Sequence, residues 1–166
     1  MHRRAGADVR HYAARFPPEP AAMPHLVILY TGNLDSVTDM TALCRALADA
    51  MLAVRDEGGR QVFPTGGTRV LAYPAPHFAV ADGGAAGRAA GLVGDYGFVY
   101  LNLRMGRGRS AAVHADAGQR LEAVAKAHFA PLLASRPVGV TLQIDEGPEV
   151  FDAKNSSLHP LFQKTS

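Results

Sequence analysis

The feature that most constrains this chain is a pattern that occurs twice: a short apolar run, an amphipathic stretch of helical length, and a second short apolar run. The first copy begins at His25-Leu26-Val27-Ile28-Leu29-Tyr30, nearly continuous in apolar residues, as a strand buried on both faces would be. Ser36 followed three residues later by Asp39 resembles a capping box. It opens a helix with Met40, Leu43, Cys44, Leu47 and Met51 on one face, which Gly58-Gly59 stops. Residues 68–73 form the second strand, and residues 74–94, rich in Pro, Gly and Ala, read as a long loop or flap.

The second copy starts with a strand over residues 96–104, where Val99, Leu101 and Leu103 alternate with Phe98, Tyr100 and Asn102. Ser110 caps a helix whose Val113, Ala117, Leu121, Val124 and Ala125 share a face. Residues 138–145 close the unit, with Val138, Val140, Leu142 and Ile144 facing one way. Two strands joined through a helix pair in parallel with a right-handed crossover. The fold class is therefore α+β: a tandem βαβ repeat making a four-stranded sheet with both helices on one face. The opposite face lacks a cover, which an oligomer would supply.

A chain of 166 residues suits one domain with its own core. Residues 1–23 are set apart by Arg3, Arg4, Arg10 and Arg15, then Pro17, Pro18 and Pro20, with no sustained apolar period. They read as a disordered leader, or as sequence upstream of the native start, with the folded domain at 24–162 and a tail at 163–166. A net charge of +2, scattered along the chain, argues against nucleic acid. No apolar run approaches the roughly 20 residues of a membrane span. Cys44 is the only cysteine, so an internal disulfide is impossible and nothing points to an oxidising compartment. The seven histidines lack metal-ligand spacing, and neither a P-loop nor a nucleophile elbow is present.

Three places could carry chemistry. Pro24 follows Met23; if translation began there, removal of the methionine would leave a secondary amine at the head of a buried strand. A free α-amino group titrates near pH 7.7–8.0, and nearby arginines with partial desolvation lower that value, giving a general base at neutral pH. The competing reading is a linker proline before a strand. Arg69, inside the second strand, calls for an anion, supplied either by another side chain or by a ligand. Arg109 stands immediately before the helix that Ser110 opens, so its guanidinium and the free helix N–H groups address one anion; a solvated basic turn is the alternative. Asp145-Glu146 read as a solvated turn at a strand end.

Met23-Pro24-His25-Leu26-Val27-Ile28, Tyr30-Thr31-Gly32-Asn33-Leu34, Phe63-Pro64, Gly67-Thr68-Arg69 and Asp95-Tyr96-Gly97-Phe98-Val99 follow one another in a familiar order. So do Leu103-Arg104-Met105-Gly106-Arg107-Gly108-Arg109-Ser110, Lys126-Ala127-His128-Phe129 and His159-Pro160-Leu161-Phe162. Together they resemble the 5-carboxymethyl-2-hydroxymuconate delta-isomerase family of the tautomerase superfamily. The resemblance implies a cytoplasmic homotrimer that needs no metal or organic cofactor. It also implies that Pro24 shuttles a proton in an allylic keto–enol shift, while Arg69 and Arg109 hold the carboxylates of a small polycarboxylate from homoprotocatechuate breakdown. The sequence departs from that pattern in three ways: residues 1–23 acylate Pro24, Leu29 stands where many relatives carry an acid, and residues 74–94 are long and low in complexity. A non-catalytic anion-binding trimer and a tautomerase of a different enol acid therefore stay open as alternatives.

Overall fold

Four strands make one mixed sheet: β1 (His25–Thr31), β2 (Arg69–Ala75), β3 (Gly97–Gly106) and β4 (Val138–Gly147), in the order β2-β1-β3-β4. The computed structural model describes residues 24–92, 94–147, 153 and 155–162, so the leader and tail read from the sequence lie outside it. β1 pairs with β2 in parallel, β3 with β4 in parallel, and β1 with β3 antiparallel. Helix α1 (Met40–Ala53) links β1 to β2, and α3 (Ala111–Ser135) links β3 to β4, with a five-residue helix α2 (Ala85–Ala89) between β2 and β3.

Strand alternation sets the two faces of the sheet. Leu26, Ile28 and Tyr30 of β1 and Val99, Leu101, Leu103 and Met105 of β3 point to the helices and are buried. They meet Met40, Leu43, Leu47 and Met51 of α1 and Val113, Ala117, Leu121, Ala125 and Phe129 of α3, each set recurring at three- or four-residue steps. A fully buried Leu or Ile in such a core contributes about 1.5–3 kcal/mol. On the other face Leu29 (49% exposed), Leu71 (45%), Tyr73 (50%) and Phe98 (37%) have no cover among the described residues.

Several boundaries differ from the sequence reading. Ser36 does not open α1; Asp39 is its N-cap, and its carboxylate accepts from the Ala42 N–H at 2.9 Å. The helix ends at Ala53 rather than at Gly58-Gly59, because Val54 turns into the core and its carbonyl accepts from the Val62 N–H. The two glycines instead serve the turn between Arg55 and Gln61, where Gly59 takes a φ of 76°. The stretch read as a loop from residue 74 yields two residues, Pro74 and Ala75, to edge strand β2, where a missing N–H is tolerated. It also holds α2, seated by the Gly87 N–H donating to the Tyr96 hydroxyl at 2.8 Å. Ser110 does cap α3, accepting from the Val113 N–H at 3.2 Å.

Candidate functional site

The sheet topology brings the starts of β1 and β2 together with the ends of β3 and β4. Parallel partners start together, and the antiparallel β1–β3 pair sets the beginning of one strand beside the end of the other. In register, His25 has Arg69 on one side and Arg104 on the other. Pro24, buried, stands one residue before that row. The loop after Gly106, which carries Arg107 and Arg109, leaves from the same end. All three residues singled out by the sequence thus sit at one end of the sheet.

Arg69 is the first residue of β2 and half-buried, and its Nη1 donates to the Gly67 carbonyl at 2.9 Å. That carbonyl belongs to a single 3-10 turn, Thr65–Gly67, closed by the Gly67 and Thr68 N–H groups on the Pro64 carbonyl. The turn places the arginine at the strand's beginning, with its head held toward the sheet's end.

Arg109 is also half-buried. Its Nη1 donates to the Gly106 carbonyl at 2.7 Å, and the guanidinium carbon lies 5.5 Å from the centre of the Phe63 ring, itself fully buried. Loss of water around the head lowers its pKa from the ordinary arginine value, while the negative charge of Glu146 acts the other way. The environment therefore disfavours this cation, and an arriving carboxylate would relieve it. Gly108, at a φ of 96°, gives the loop the left-handed turn that brings Arg109 back over Phe63.

Arg109 borders an open cleft of about 470 Å³ with Asp56, Glu57, Arg60, Arg107 and Ser110. Its acids are already engaged. Asp56 accepts from the Gly58 and Arg60 N–H groups, each at 2.9 Å, and from Arg60 Nε at 2.8 Å. The backbone bond from Arg60, with its side chain and charge, lowers the Asp56 pKa. The Ser110 hydroxyl donates to the Glu57 carboxylate, which lowers that pKa too. Neither Pro24 nor Arg69 borders this cleft. The three residues thus lie at one end of the sheet, and the cleft beside Arg109 does not extend to the other two.

Two features escaped the sequence reading. Phe63 enters the sequence reading only through the Phe63-Pro64 motif, yet it is the floor on which Arg109 rests. Arg104 passed as an ordinary member of β3, although alternation puts it on the open face and pairing puts it beside His25. The available signal was that residues 25, 69 and 104 each alternate away from the buried positions of their own strands, which becomes informative only once the register is known. His114, in the first turn of α3, lies 3.6 Å from the Glu146 carboxylate, near Arg109's end of the sheet. No helix among the described residues is long and apolar enough to cross a membrane.

The chain is similar to known proteins over most of its length. A family model for 5-carboxymethyl-2-hydroxymuconate isomerase matches residues 24–162, beginning on Pro24 itself. The 5-carboxymethyl-2-hydroxymuconate Delta-isomerase of Escherichia coli is 27% identical over 141 residues, covering 85% of this chain and all of that protein. A crystal structure of a 5-carboxymethyl-2-hydroxymuconate delta-isomerase is 69% identical, covers 87% of this chain and 96% of its own, and superposes with a TM-score of 0.84. A 5-carboxymethyl-2-hydroxymuconate isomerase from Deinococcus radiodurans R1 is 32% identical, covers 86% and 96%, and gives 0.71.

Proposed function

The chain belongs to the 5-carboxymethyl-2-hydroxymuconate isomerase family, and on that footing we propose that it is an intramolecular isomerase of an unsaturated 2-hydroxy polycarboxylate, with Pro24 as the proton carrier. The observation that carries this reading is the gathering of Pro24, Arg69 and Arg109 at one end of the sheet, in a chain whose family match starts at Pro24.

The chemistry follows from the groups. As a free secondary amine, the Pro24 nitrogen takes the enol proton and returns it to the far carbon of the conjugated system, so one group acts as base and then as acid. Charge develops on the oxygen as the proton leaves. Arg69 and Arg109 hold the substrate's carboxylates and stabilise that charge with forked, permanently cationic donors. Partial burial of Arg109 strengthens the effect, since less water competes for the anion. The reaction is a proton relocation within one molecule, with no net oxidation.

The assembly is a homotrimer in this reading. Its support is the bare sheet face with Leu29, Leu71, Tyr73 and Phe98, a patch that a soluble monomer rarely leaves to water. Subunit contact would also close the end of the sheet that a single chain leaves open. The two strand–helix–strand halves, joined through antiparallel β1 and β3, have the form of a duplicated unit, as in the tautomerase superfamily. A cytoplasmic location fits the single cysteine.

The deciding experiment is intact mass with amino-terminal sequencing of the protein from its native host, followed by kinetics of Pro24→Ala. A mature chain starting at Pro24, with most activity gone in the variant, supports the proposal. A mature chain that keeps residues 1–23 leaves the Pro24 nitrogen an amide, unable to act as a base, and favours an anion-binding trimer. Equal rates on monocarboxylate and polycarboxylate enols would favour a tautomerase of a different enol acid.

A further inference from the structure

A 5-carboxymethyl muconate carries three carboxylates: two from the muconate and one from the carboxymethyl arm. The two arginines of the proposed site account for two of them. A third anionic group, drawn out of water beside a conjugated system, calls for a third cation.

We infer that Arg104 is that third contact and that it sets the preference for a tricarboxylate over a dicarboxylate. The inference rests on the isomerase reading above. Across the open face the register runs Arg69, His25, Arg104, Asp145 over four adjacent strands. Arg69 and Arg104 therefore flank β1 two strand spacings apart, about 10 Å between their backbones. Pro24 immediately precedes the residue between them. A substrate whose reacting atoms lie at the Pro24 nitrogen has a carboxylate-binding arginine on one side and Arg104 on the other.

The side chain of Arg104 is exposed, and it makes no hydrogen bond or ion pair among the described residues. Its neighbour across β4, Asp145, is the obvious internal partner but is already taken. Its carboxylate accepts from Asn102 Nδ2 at 2.7 Å and from Gln143 Nε2 at 3.0 Å. Instead the guanidinium leans toward the end of the sheet, with Nη2 3.9 Å from where a Cβ on Gly147 would stand. That is the end at which Gly106, Gly147 and the Arg109 loop meet. An arginine aimed at a substrate-binding end, with its nearest acid satisfied elsewhere, is placed for an incoming anion.

The test compares Arg104→Gln with the unaltered protein on two substrates, 5-carboxymethyl-2-hydroxymuconate and 2-hydroxymuconate, which lacks the carboxymethyl arm. Expected is a fall in kcat/KM of about 10- to 100-fold on the tricarboxylate, mostly in KM, and less than about threefold on the dicarboxylate. Arg104→Lys should recover part of the loss by restoring charge without the fork. Equal losses on both substrates, no loss on either, or loss of the native oligomer on size-exclusion chromatography with light scattering would overturn the inference. If the unaltered protein turns over neither substrate, the isomerase reading fails separately. Calorimetry with propane-1,2,3-tricarboxylate and glutarate then decides for Arg104: a tricarboxylate preference lost in Arg104→Gln supports it, and no preference, or one unaltered by the substitution, overturns it.

Discussion

Replacing Arg109 with methionine should cost the protein far more activity than stability. The long apolar side chain keeps the contact with Phe63 while removing the charge. On the stability side, the hydrogen bond from Nη1 to the Gly106 carbonyl at 2.7 Å is lost; a bond from a charged donor is worth about 1.5–3 kcal/mol. The cation over the Phe63 ring at 5.5 Å goes as well, for about 0.5–1 kcal/mol. Against these stands relief of a half-buried cation whose pKa is lowered chiefly by desolvation. Because Arg109 borders an open cleft, water can also enter the space its guanidinium leaves and bond the Gly106 carbonyl. The opposing effects leave a net change within about 1 kcal/mol, or about 2–4 °C in Tm for a chain of this size.

Activity responds differently. Removing one donor from a developing oxyanion typically costs about 10²–10³ in kcat. Steady-state kinetics on the tricarboxylate enol, run beside thermal unfolding at fixed protein concentration, separate the two effects; the concentration must be fixed because assembly shifts Tm. Arg109→Met should fall by that factor with Tm nearly unchanged, and Arg109→Lys should sit between it and the unaltered protein. Activity retained within about threefold would refute the role of Arg109 in substrate binding. A drop of more than about 8 °C in Tm accompanying the loss would show that the arginine is there for the fold.

Three further outcomes follow from particular contacts. Asp39→Ala removes the cap that accepts from the Ala42 N–H, and should cost about 1 kcal/mol in chemical denaturation without altering KM. Gly32→Ala would set a Cβ 2.8 Å from the Ala75 carbonyl oxygen, a backbone atom that cannot swing aside; the expected loss is about 1–3 kcal/mol, read as an earlier denaturation midpoint. His128, whose ring lies 2.7 Å from the Thr38 hydroxyl, has a pKa lowered by burial, with Asp39 partly opposing. Its contribution is therefore complete above the unfolded value near 6.5 and is lost as pH falls through the lower folded value. A stability profile between pH 7.5 and 4.5 should show this acid-side decline, and His128→Gln should flatten it.

The sheet and the two long helices were legible in the sequence because burial imposes periods that composition cannot hide. Val99, Leu101 and Leu103 alternate in β3, and α3 buries Val113, Ala117, Leu121, Ala125 and Phe129 at every fourth residue. Misplaced boundaries have a common cause: a local signal was outweighed by a distant contact. The Ser36–Asp39 spacing has the form of a cap, but the chain is still in a turn there, with the Val37 N–H on the Leu34 carbonyl. Gly58-Gly59 has the form of a helix stop, yet burial of Val54 ends the helix earlier. Helix α2 has no apolar period to announce it and depends on Tyr96, which follows it in the chain. Of the proposed site, Pro24, Arg69 and Arg109 each stood out as residue types in odd places. Arg104 did not, since an arginine in an exposed strand position is ordinary until pairing sets it beside His25.

The topology explains why this end of the sheet collects cations without collapsing the fold. A parallel pair alone would put two strand beginnings at one edge and leave its strand ends at the other. Joining two such pairs through antiparallel β1 and β3 brings two beginnings and two ends to the same edge, with the first turn of α3 beside them. Arg69, Arg104 and Arg109 can then approach one region from β2, β3 and the β3–α3 loop, each anchored on a different backbone. Their mutual repulsion is moderated by solvent, because Arg104 is exposed and Arg69 and Arg109 are only half-buried. Covering the bare sheet face and this edge by neighbouring subunits would remove that solvent and raise the repulsion unless an anion entered. Affinity for a polyanion and dependence on assembly are, on this argument, two consequences of one arrangement of charge. If the proposed trimer forms, dissociating it by dilution should therefore weaken substrate binding before it unfolds the chain.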